Sequence, residues 1–235
     1  MYKGIYIAAS GAVLKQTQLE VLSQNLANAN TIGYKKDGIS FKQYLLPDEA
    51  TGGMPDGRSM TSFSENKTDF TNGVINKTAN QLDIALEGNG FIVLEGNKYT
   101  RRGDLKRSTD GYLTSFNGTK ILGKKGPIKV PDGKLLIDNK GEISINNEII
   151  DTIKIVDFKK KKELAKAGDG IFMTNEKTIP ADASVRQGFI ESSNVEPVRE
   201  MVRMIETLRD FQTYQKAIQT FDETTAVVIT QIGRL

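Results

Sequence analysis

Residues 201–232 read MVRMIETLRDFQTYQKAIQTFDETTAVVITQI, and residues 5–29 read IYIAASGAVLKQTQLEVLSQNLANA. In both stretches, apolar residues recur at alternating intervals of three and four positions. A mean spacing near 3.5 is the period of coiled-coil helices, which keeps one narrow apolar seam facing a partner helix along its whole length. Both stretches are therefore predicted to form long helices, each with one seam.

We predict that the two seams form an assembly interface, and their residues are defined by this spacing. The N-terminal seam consists of Ile5, Ala8, Ala12, Lys15, Leu19, Leu22 and Leu26, with Asn28 and Ala29 at its end. The C-terminal seam consists of Met201, Met204, Leu208, Phe211, Tyr214, Ile218, Phe221, Thr225, Val228 and Ile232. Polar residues at seam positions weaken an isolated helix pair but can fix its register within an assembly.

The length of the C-terminal helix favours contacts beyond its own domain. About 32 helical residues span roughly 48 Å, whereas a compact domain of about 150 residues has a diameter of only about 38 Å. An exposed apolar seam requires cover, either from the other terminal helix, from other copies of the chain, or from both. The alternative, in which both helices belong to the ordinary core of one chain, stays open on this pattern.

The middle of the chain is predicted to be β, as an antiparallel, hairpin-rich sandwich or a partly open barrel flanked by the two helices. Short apolar runs alternate with Gly- and Asn-containing turn pairs, which are strong hairpin signals. The predicted strands are Gln81–Leu86, Gly90–Leu94, Lys98–Arg101, Tyr112–Ser115, Leu135–Asp138, Glu142–Asn146, Ile153–Asp157 and Gly170–Met173. The predicted turns are Gly96-Asn97, Asp110-Gly111, Asn117-Gly118, Asp132-Gly133, Asn139-Lys140-Gly141 and Asn146-Asn147.

These patterns predict four segments. Residues 1–33 form an N-terminal assembly helix, and residues 34–73, rich in turn-forming residues, form an extended polar linker or loop. Residues 74–190 form the central β domain, and residues 191–235 form a C-terminal assembly helix. Ser192, Ser193 and Asn194 are good N-cap residues for this second helix.

Composition excludes several classes of function. The 235 residues contain no Cys and no His, which excludes a thiolate nucleophile, zinc–sulfur sites and every triad that depends on His. The 32 basic and 29 acidic residues are interspersed, so we predict no nucleic-acid partner. Gly88-Asn89-Gly90 leads into another predicted strand, unlike a phosphate-binding loop, which opens a helix. We predict no cofactor, metal, small-molecule substrate or enzymatic activity, although a carboxylate-dependent hydrolase stays open as an alternative.

No secretory signal is predicted, because the apolar run after Lys3 is too short. No stretch approaches the ~18 consecutive apolar residues of a membrane-spanning helix. On composition alone, these features favour the cytoplasm and no membrane insertion.

Four segments resemble the bacterial flagellar rod and hook protein family, in the order in which they occur there. Residues 23–35 read SQNLANANTIGYK and resemble the family's N-terminal signature; residues 82–91 read LDIALEGNGF and resemble the start of its β domain. Residues 99–104 and 110–113 are similar to the hairpins that follow, and residues 187–195 and 200–202 are similar to the C-terminal signature. The resemblance spans nearly the whole chain.

The resemblance implies a structural subunit of the flagellar basal-body rod, located in the periplasmic space. Family members leave the cytoplasm through the flagellar export apparatus without a cleavable signal peptide. They polymerise helically with copies of themselves and with other rod proteins through their terminal helices, and the rod transmits motor torque. The segment Gly126-Pro127-Ile128-Lys129-Val130-Pro131 favours the proximal-rod type. A distal-rod subunit and a non-polymerising rod adaptor stay open as alternatives.

Overall fold

The structure is a computed structural model, and it describes residues 2–47, 55–131, 133–146 and 148–232. The chain forms two compact units. Unit 1 comprises Met1–Ala27, Asp37–Lys67 and Glu196–Leu235, and unit 2 comprises Asn28–Lys36 and Thr68–Val195. The predicted turn residues Asp132 and Asn147, residues 233–235 and the side chain of Ile232 lie outside the described residues.

Unit 1 contains the two long helices and a pair of strands. Helix α1 spans Tyr2–Ala27 and helix α2 spans Pro197–Ile232. Proline suits the first turn of α2, because its fixed φ fits a helix and the N–H that it lacks would have no partner there. Strand β1 (Asp37–Pro47) pairs with strand β2 (Pro55–Thr68) in a two-stranded sheet.

Unit 1 differs from the sequence-based segments in two places. Residues 37–47 and 55–68 are paired strands, where the sequence predicts a loop. Their many polar and turn-forming residues hide the strand pattern. Helix α2 begins at Pro197, several residues after the predicted start, because residues up to Glu191 belong to a strand.

Unit 2 contains fifteen short strands among its described residues. They are β3 (Ile75–Lys77), β4 (Ile84–Asn89), β5 (Phe91–Leu94), β6 (Lys98–Thr100), β7 (Lys106–Arg107), β8 (Leu113–Thr114), β9 (Leu135–Ile137), β10 (Glu142–Ile145), β11 (Glu148–Thr152), β12 (Ile155–Phe158), β13 (Ala165–Lys166), β14 (Ile171–Met173), β15 (Thr178–Pro180), β16 (Asp182–Gln187) and β17 (Phe189–Glu191). Each of the eight predicted strands overlaps one of them. The mainly β middle with a helix at each end is confirmed.

The strands of unit 2 pair antiparallel in several open sheets. The largest has the order β13-β14-β6-β5-β12-β15, and a second has the order β11-β10-β9. Strand β16 pairs with β4, β17 with β3, and β7 with β8. Within the described residues no sheet closes into a barrel.

Two apolar clusters form the core of unit 2, one on each face of the largest sheet. In β5, Ile92 and Leu94 join the larger cluster, while Phe91 and Val93 join a smaller, aromatic-rich cluster. This strand is apolar at all four positions because both of its faces are buried. The predicted turns at Gly111 and Gly118 have φ values of 79° and 85°, which glycine adopts without steric cost.

Candidate assembly interface

The two terminal helices lie antiparallel against each other within unit 1. A Cβ atom built on Gly4 would lie 3.4 Å from Cζ of Phe221, and one built on Gly11 would lie 2.6 Å from Cε1 of Tyr214. Successive contacts thus move towards the C-terminus of α1 and towards the N-terminus of α2. The absence of a side chain at Gly11 allows the Tyr214 ring to lie directly on the backbone of α1.

An ion pair explains how a lysine is tolerated in the N-terminal seam. Lys15 Nζ lies 2.8 Å from Oδ2 of Asp210, which continues the antiparallel register of the two helices. Both side chains retain contact with solvent, so the pair fixes register more than it adds stability. The N-terminal and C-terminal seams therefore meet each other within the same chain, and we call this helix–helix contact the inner seam. Cover by the other terminal helix is one of the alternatives that the spacing left open.

Most of the predicted seam residues lie on the covered sides of the two helices. In α1, Ala8, Ala12 and Leu22 are buried, and Ile5, Leu19 and Leu26 are half-buried; Asn28, in unit 2, is also half-buried. In α2, Met204, Phe211, Tyr214, Ile218, Thr225 and Val228 are half-buried, whereas Met201, Leu208 and Phe221 are exposed. Met201 and Leu208, which the spacing also selects for the assembly interface, are exposed on α2 in the single chain.

Two polar residues lie on the covered side of α2 where apolar residues were expected. Glu200 and Thr207 are both buried, and they continue the alternation of three and four through Met204 and Phe211. A pattern that considers only apolar residues omits Glu200 and Thr207, although both fit the spacing. Asn25, also buried, joins α1 to β1: its Nδ2 donates to the Asp37 carbonyl at 2.8 Å, and its Oδ1 accepts from the Asp37 N–H at 2.9 Å.

A second apolar stripe follows the outer face of the first turns of α2. We call it the outer stripe, and its members retain large exposed fractions: Val198 (75%), Met201 (47%), Val202 (50%), Ile205 (53%) and Leu208 (44%). Such a contiguous exposed patch on a helix typically marks an interaction surface.

A buried ionic cluster lies where the chain enters and leaves unit 2, and we call it the junction cluster. Glu191, at the end of β17, accepts hydrogen bonds from Lys35 Nζ at 2.6 Å, from Arg101 Nε at 2.9 Å and from the Gly73 N–H at 2.9 Å. Lys35 also donates to the Thr71 carbonyl at 2.7 Å. Burial lowers the pKa of the Lys35 ammonium below its usual value of 10.5, and the Glu191 charge opposes this shift.

The guanidinium of Arg101 joins this cluster to the strands of unit 2. Its Nη1 donates to the carbonyls of Gly88 at 2.9 Å and Gly90 at 2.7 Å, and its Nη2 donates to the Leu86 carbonyl at 3.1 Å and to Asn72 Oδ1 at 2.9 Å. Because the three carbonyl acceptors are fixed by β4 and the β4–β5 corner, Arg101 holds the carboxylate of the cluster at a defined place in the fold.

A single side chain connects three of the four segments by which the chain crosses between the units. Asn194 Oδ1 accepts from the Lys36 N–H at 2.7 Å, and its Nδ2 donates to the Asp69 carbonyl at 2.8 Å. The Asp69 N–H donates to the Lys36 carbonyl at 2.9 Å. Partial burial alone would raise the pKa of the Asp69 carboxyl, but hydrogen bonds from Thr71 and the charge of Lys36 hold it below its usual value.

Comparison with known proteins identifies the family. Three family models match: "Flagella basal body rod protein" at residues 5–35, "Flagellar hook protein FlgE/F/G D1 domain" at residues 85–148 and "Flagellar basal body rod FlgEFG protein C-terminal" at residues 186–231. The flagellar basal-body rod protein FlgF of Salmonella typhimurium is 30% identical over 255 residues, covering 95% of each chain. This chain belongs to the flagellar basal-body rod protein family.

Other relatives of this rod protein include proteins named FlgF and proteins named FlgG. FlgF of Caulobacter vibrioides is 27% identical and covers 100% of both chains. FlgG of Bacillus subtilis is 29% identical and covers 95% of this chain and 96% of its own. This rod protein is a structural component of the flagellar basal body and not an enzyme.

The junction cluster of the rod protein draws one residue from each matched segment. Lys35 lies at the end of the first segment, Arg101 in the second and Glu191 in the third. Among its described residues, no group of His, Cys, Asp or Glu is arranged to hold a metal ion. No described helix is long and apolar enough to cross a membrane.

Proposed function

We propose that this rod protein polymerises helically through its terminal helices, with the outer stripe of α2 meeting a neighbouring subunit. The observation that carries the proposal is the exposure of Val198, Val202 and Ile205 on one face of the first turns of α2. Covering this stripe would release its apolar surface from water, a gain of about 25 cal/mol for each Å².

In the assembled rod, the helices would form a coiled-coil layer in which each α2 has two partners. Its inner seam meets α1 of the same chain, and its outer stripe meets a helix of another subunit. Contacts of this head-to-tail type, repeated without closure, generate a helical filament. Torque would then pass along many parallel helices, with no chemical step. The partners are further copies of this chain and other rod proteins, after delivery by the flagellar export apparatus.

We assign the protein to the proximal rod. The segment Gly126–Pro131, which is similar to that type, supports this assignment, as does the end-to-end similarity to FlgF of Caulobacter vibrioides. A distal-rod position is the second candidate, because FlgG relatives also align over nearly the whole chain.

The assembly proposal is tested by placing a charge on the outer stripe. Ile205→Asp should abolish incorporation into basal bodies, because burying an ionised carboxylate without a partner costs several kcal/mol. Gln215→Asp makes the same charge change at an exposed α2 position away from the stripe and is the matched control. Incorporation is measured in isolated basal bodies, and export is measured separately.

A charge in the inner seam should have a different effect. Leu22→Asp or Phe211→Asp disturbs the contact between α1 and α2 and should reduce the helical circular dichroism of the isolated chain, whereas Ile205→Asp should leave it unchanged. Wild-type incorporation of Ile205→Asp would refute the outer-stripe proposal. Electron microscopy of the wild-type chain over a concentration series distinguishes a polymer from a small adaptor complex, which would saturate.

A further inference from the structure

The positive charges of this chain are concentrated in one part of unit 2. Residues 98–134 contain ten Lys or Arg and three Asp, a net charge of +7, whereas the whole chain has a net charge of +3. The remaining residues are therefore net acidic. The imbalance coincides with the β7–β8 hairpin and the bridged segments that follow it.

The pairing of these segments places the lysines on a single outward face. Lys106 pairs with Thr114, and Thr114 forms a bridge with Lys120. The two lysines therefore lie on either side of Thr114, in the two segments next to it. Tyr112, two residues before Thr114, forms a bridge with Lys129. Because side chains alternate between the faces of a strand, these residues share the outer face.

The opposite face of the same segments belongs to the core. Leu113, Ile121 and Ile128 are each almost completely buried in the larger apolar cluster. The register of the outer face is therefore fixed, since a slip of one residue would expose all three apolar side chains. The positions of the lysines are consequently set by the fold of unit 2.

Aromatic rings hold the cations in place. Lys120 and Lys129 lie 4.5 and 5.8 Å from the ring centre of Tyr112, and Lys106 lies 4.2 Å from that of Phe116. Among the described residues, none of these three lysines forms an ion pair. Ordered cations without carboxylate partners attract anions from solution.

We propose that this face, defined by Lys106, Lys120, Lys129, Tyr112 and Phe116, binds an acidic glycan polymer of the cell envelope. The backbone segments that carry the lysines on either side of Thr114 are about 10 Å apart, twice the usual strand separation, so the two lysines suit anionic groups repeated along a chain. The two aromatic rings of the face are overlaid by lysines, whereas charged residues are depleted from the core of a typical protein–protein interface. A hydrated polymer bearing carboxylates or phosphates fits it better than a folded protein surface.

The inference uses the basal-body location of the family and the charge of this face. It does not use the outer stripe of α2 or any mode of polymerisation. Failure of glycan binding would therefore leave the assembly proposal intact, and failure of assembly would leave the glycan-binding face intact.

The test is cosedimentation of the full-length chain with purified cell-wall sacculi. The triple variant Lys106→Gln/Lys120→Gln/Lys129→Gln should bind about tenfold more weakly at low salt, as expected for the loss of three exposed charge contacts. The matched control, Lys159→Gln/Lys160→Gln/Lys162→Gln, loses the same charge from an exposed loop and should bind within about twofold of wild type. Circular dichroism verifies that both triple variants are folded.

Further arms identify the anion and the competing partner. Sacculi stripped of phosphate polymers by hydrofluoric acid retain binding if carboxylates are recognised and lose it if phosphates are recognised; both outcomes support an acidic glycan. The proposal is overturned if wild-type chain fails to sediment with sacculi, or if both triple variants lose binding equally. It is also overturned if the three lysines instead control salt-sensitive self-association of the chain in analytical ultracentrifugation.

Discussion

Replacing Glu191 with Gln removes the one negative charge of the junction cluster while keeping the size of the side chain. The carboxylate accepts from Lys35 Nζ at 2.6 Å through one oxygen and from Arg101 Nε at 2.9 Å through the other. An amide has only one oxygen, so one of the two cations would face an NH₂ group instead of an acceptor. Lys35 and Arg101 are 1% and 3% exposed, so water cannot take the place of the lost acceptor.

The expected loss of stability is large. Breaking a buried ion pair by removing one partner costs about 3–5 kcal/mol, because the remaining charge is left uncompensated. Lys35 keeps its bond to the Thr71 carbonyl, and Arg101 keeps those to Gly88 and Gly90. These retained contacts favour the lower end, about 3 kcal/mol, which is a substantial part of the ~5–15 kcal/mol typical of a folded domain.

Urea unfolding of the full-length chain, followed by tyrosine fluorescence, measures this loss. With a denaturant slope of about 2 kcal/mol/M, the midpoint should fall by about 1.5 M. Glu163→Gln is the matched control, because Glu163 pairs with Lys160 at 3.2 Å while their side chains are 53% and 71% exposed; it should cost less than about 1 kcal/mol. If Glu191→Gln lowers the midpoint no more than Glu163→Gln does, the buried cluster does not stabilise the fold as reasoned.

Three further predictions concern stability and chain accessibility. Because folding lowers the pKa of Lys35, the unfolded chain binds one more proton than the folded chain at pH values between the folded pKa and 10.5. The free energy of unfolding of wild type, relative to that of Lys35→Met, should therefore rise as the pH rises towards 10.5, as measured by urea titrations. Gly11→Leu should push Tyr214 away from α1 and destabilise the helix pair by about 1–3 kcal/mol, measured by thermal circular dichroism. Asn194→Leu should speed tryptic cleavage after Lys36 about tenfold, since it removes hydrogen bonds worth about 1 kcal/mol each.

The last two predictions have matched controls. Val13→Leu enlarges an exposed side chain of α1 and should leave the helix melt unchanged, so an equal effect of both leucines would count against the close approach at Gly11. Asn175→Leu removes an exposed amide elsewhere in unit 2 and should leave cleavage after Lys36 unchanged. A stability difference between wild type and Lys35→Met that falls as the pH rises would contradict the direction of the pKa shift.

Local chemistry made much of the fold predictable. Phe91–Leu94 and the turn at Asn117-Gly118 were identifiable because each depends on its own few residues: a continuous apolar run, and a glycine able to adopt a positive φ. The alternation of three and four positions likewise predicted both long helices. Strands such as β7, with only Lys106 and Arg107, carry no apolar signal and were missed.

The candidate site was less predictable, because its contacts join distant parts of the chain. Lys35 and Glu191 are separated by 156 positions, and neither has a local pattern that would predict burial. Thr207 occupies the covered side of α2 because the helical phase places it there, whatever its polarity. Where the spacing offered both Thr207 and Leu208, the preference for apolar residues selected Leu208, which is exposed in the single chain.

The convergence of three crossings at Asn194 has a consequence for how such chains can vary. Asp69 and Asn194, which lie near the two ends of the Thr68–Val195 segment of unit 2, are only one hydrogen bond apart. A module whose two ends meet can be enlarged, trimmed or exchanged without altering the spacing between the flanking helices. Exchanging this segment between rod subunits at these two positions would thus be a rational starting point for engineered filaments.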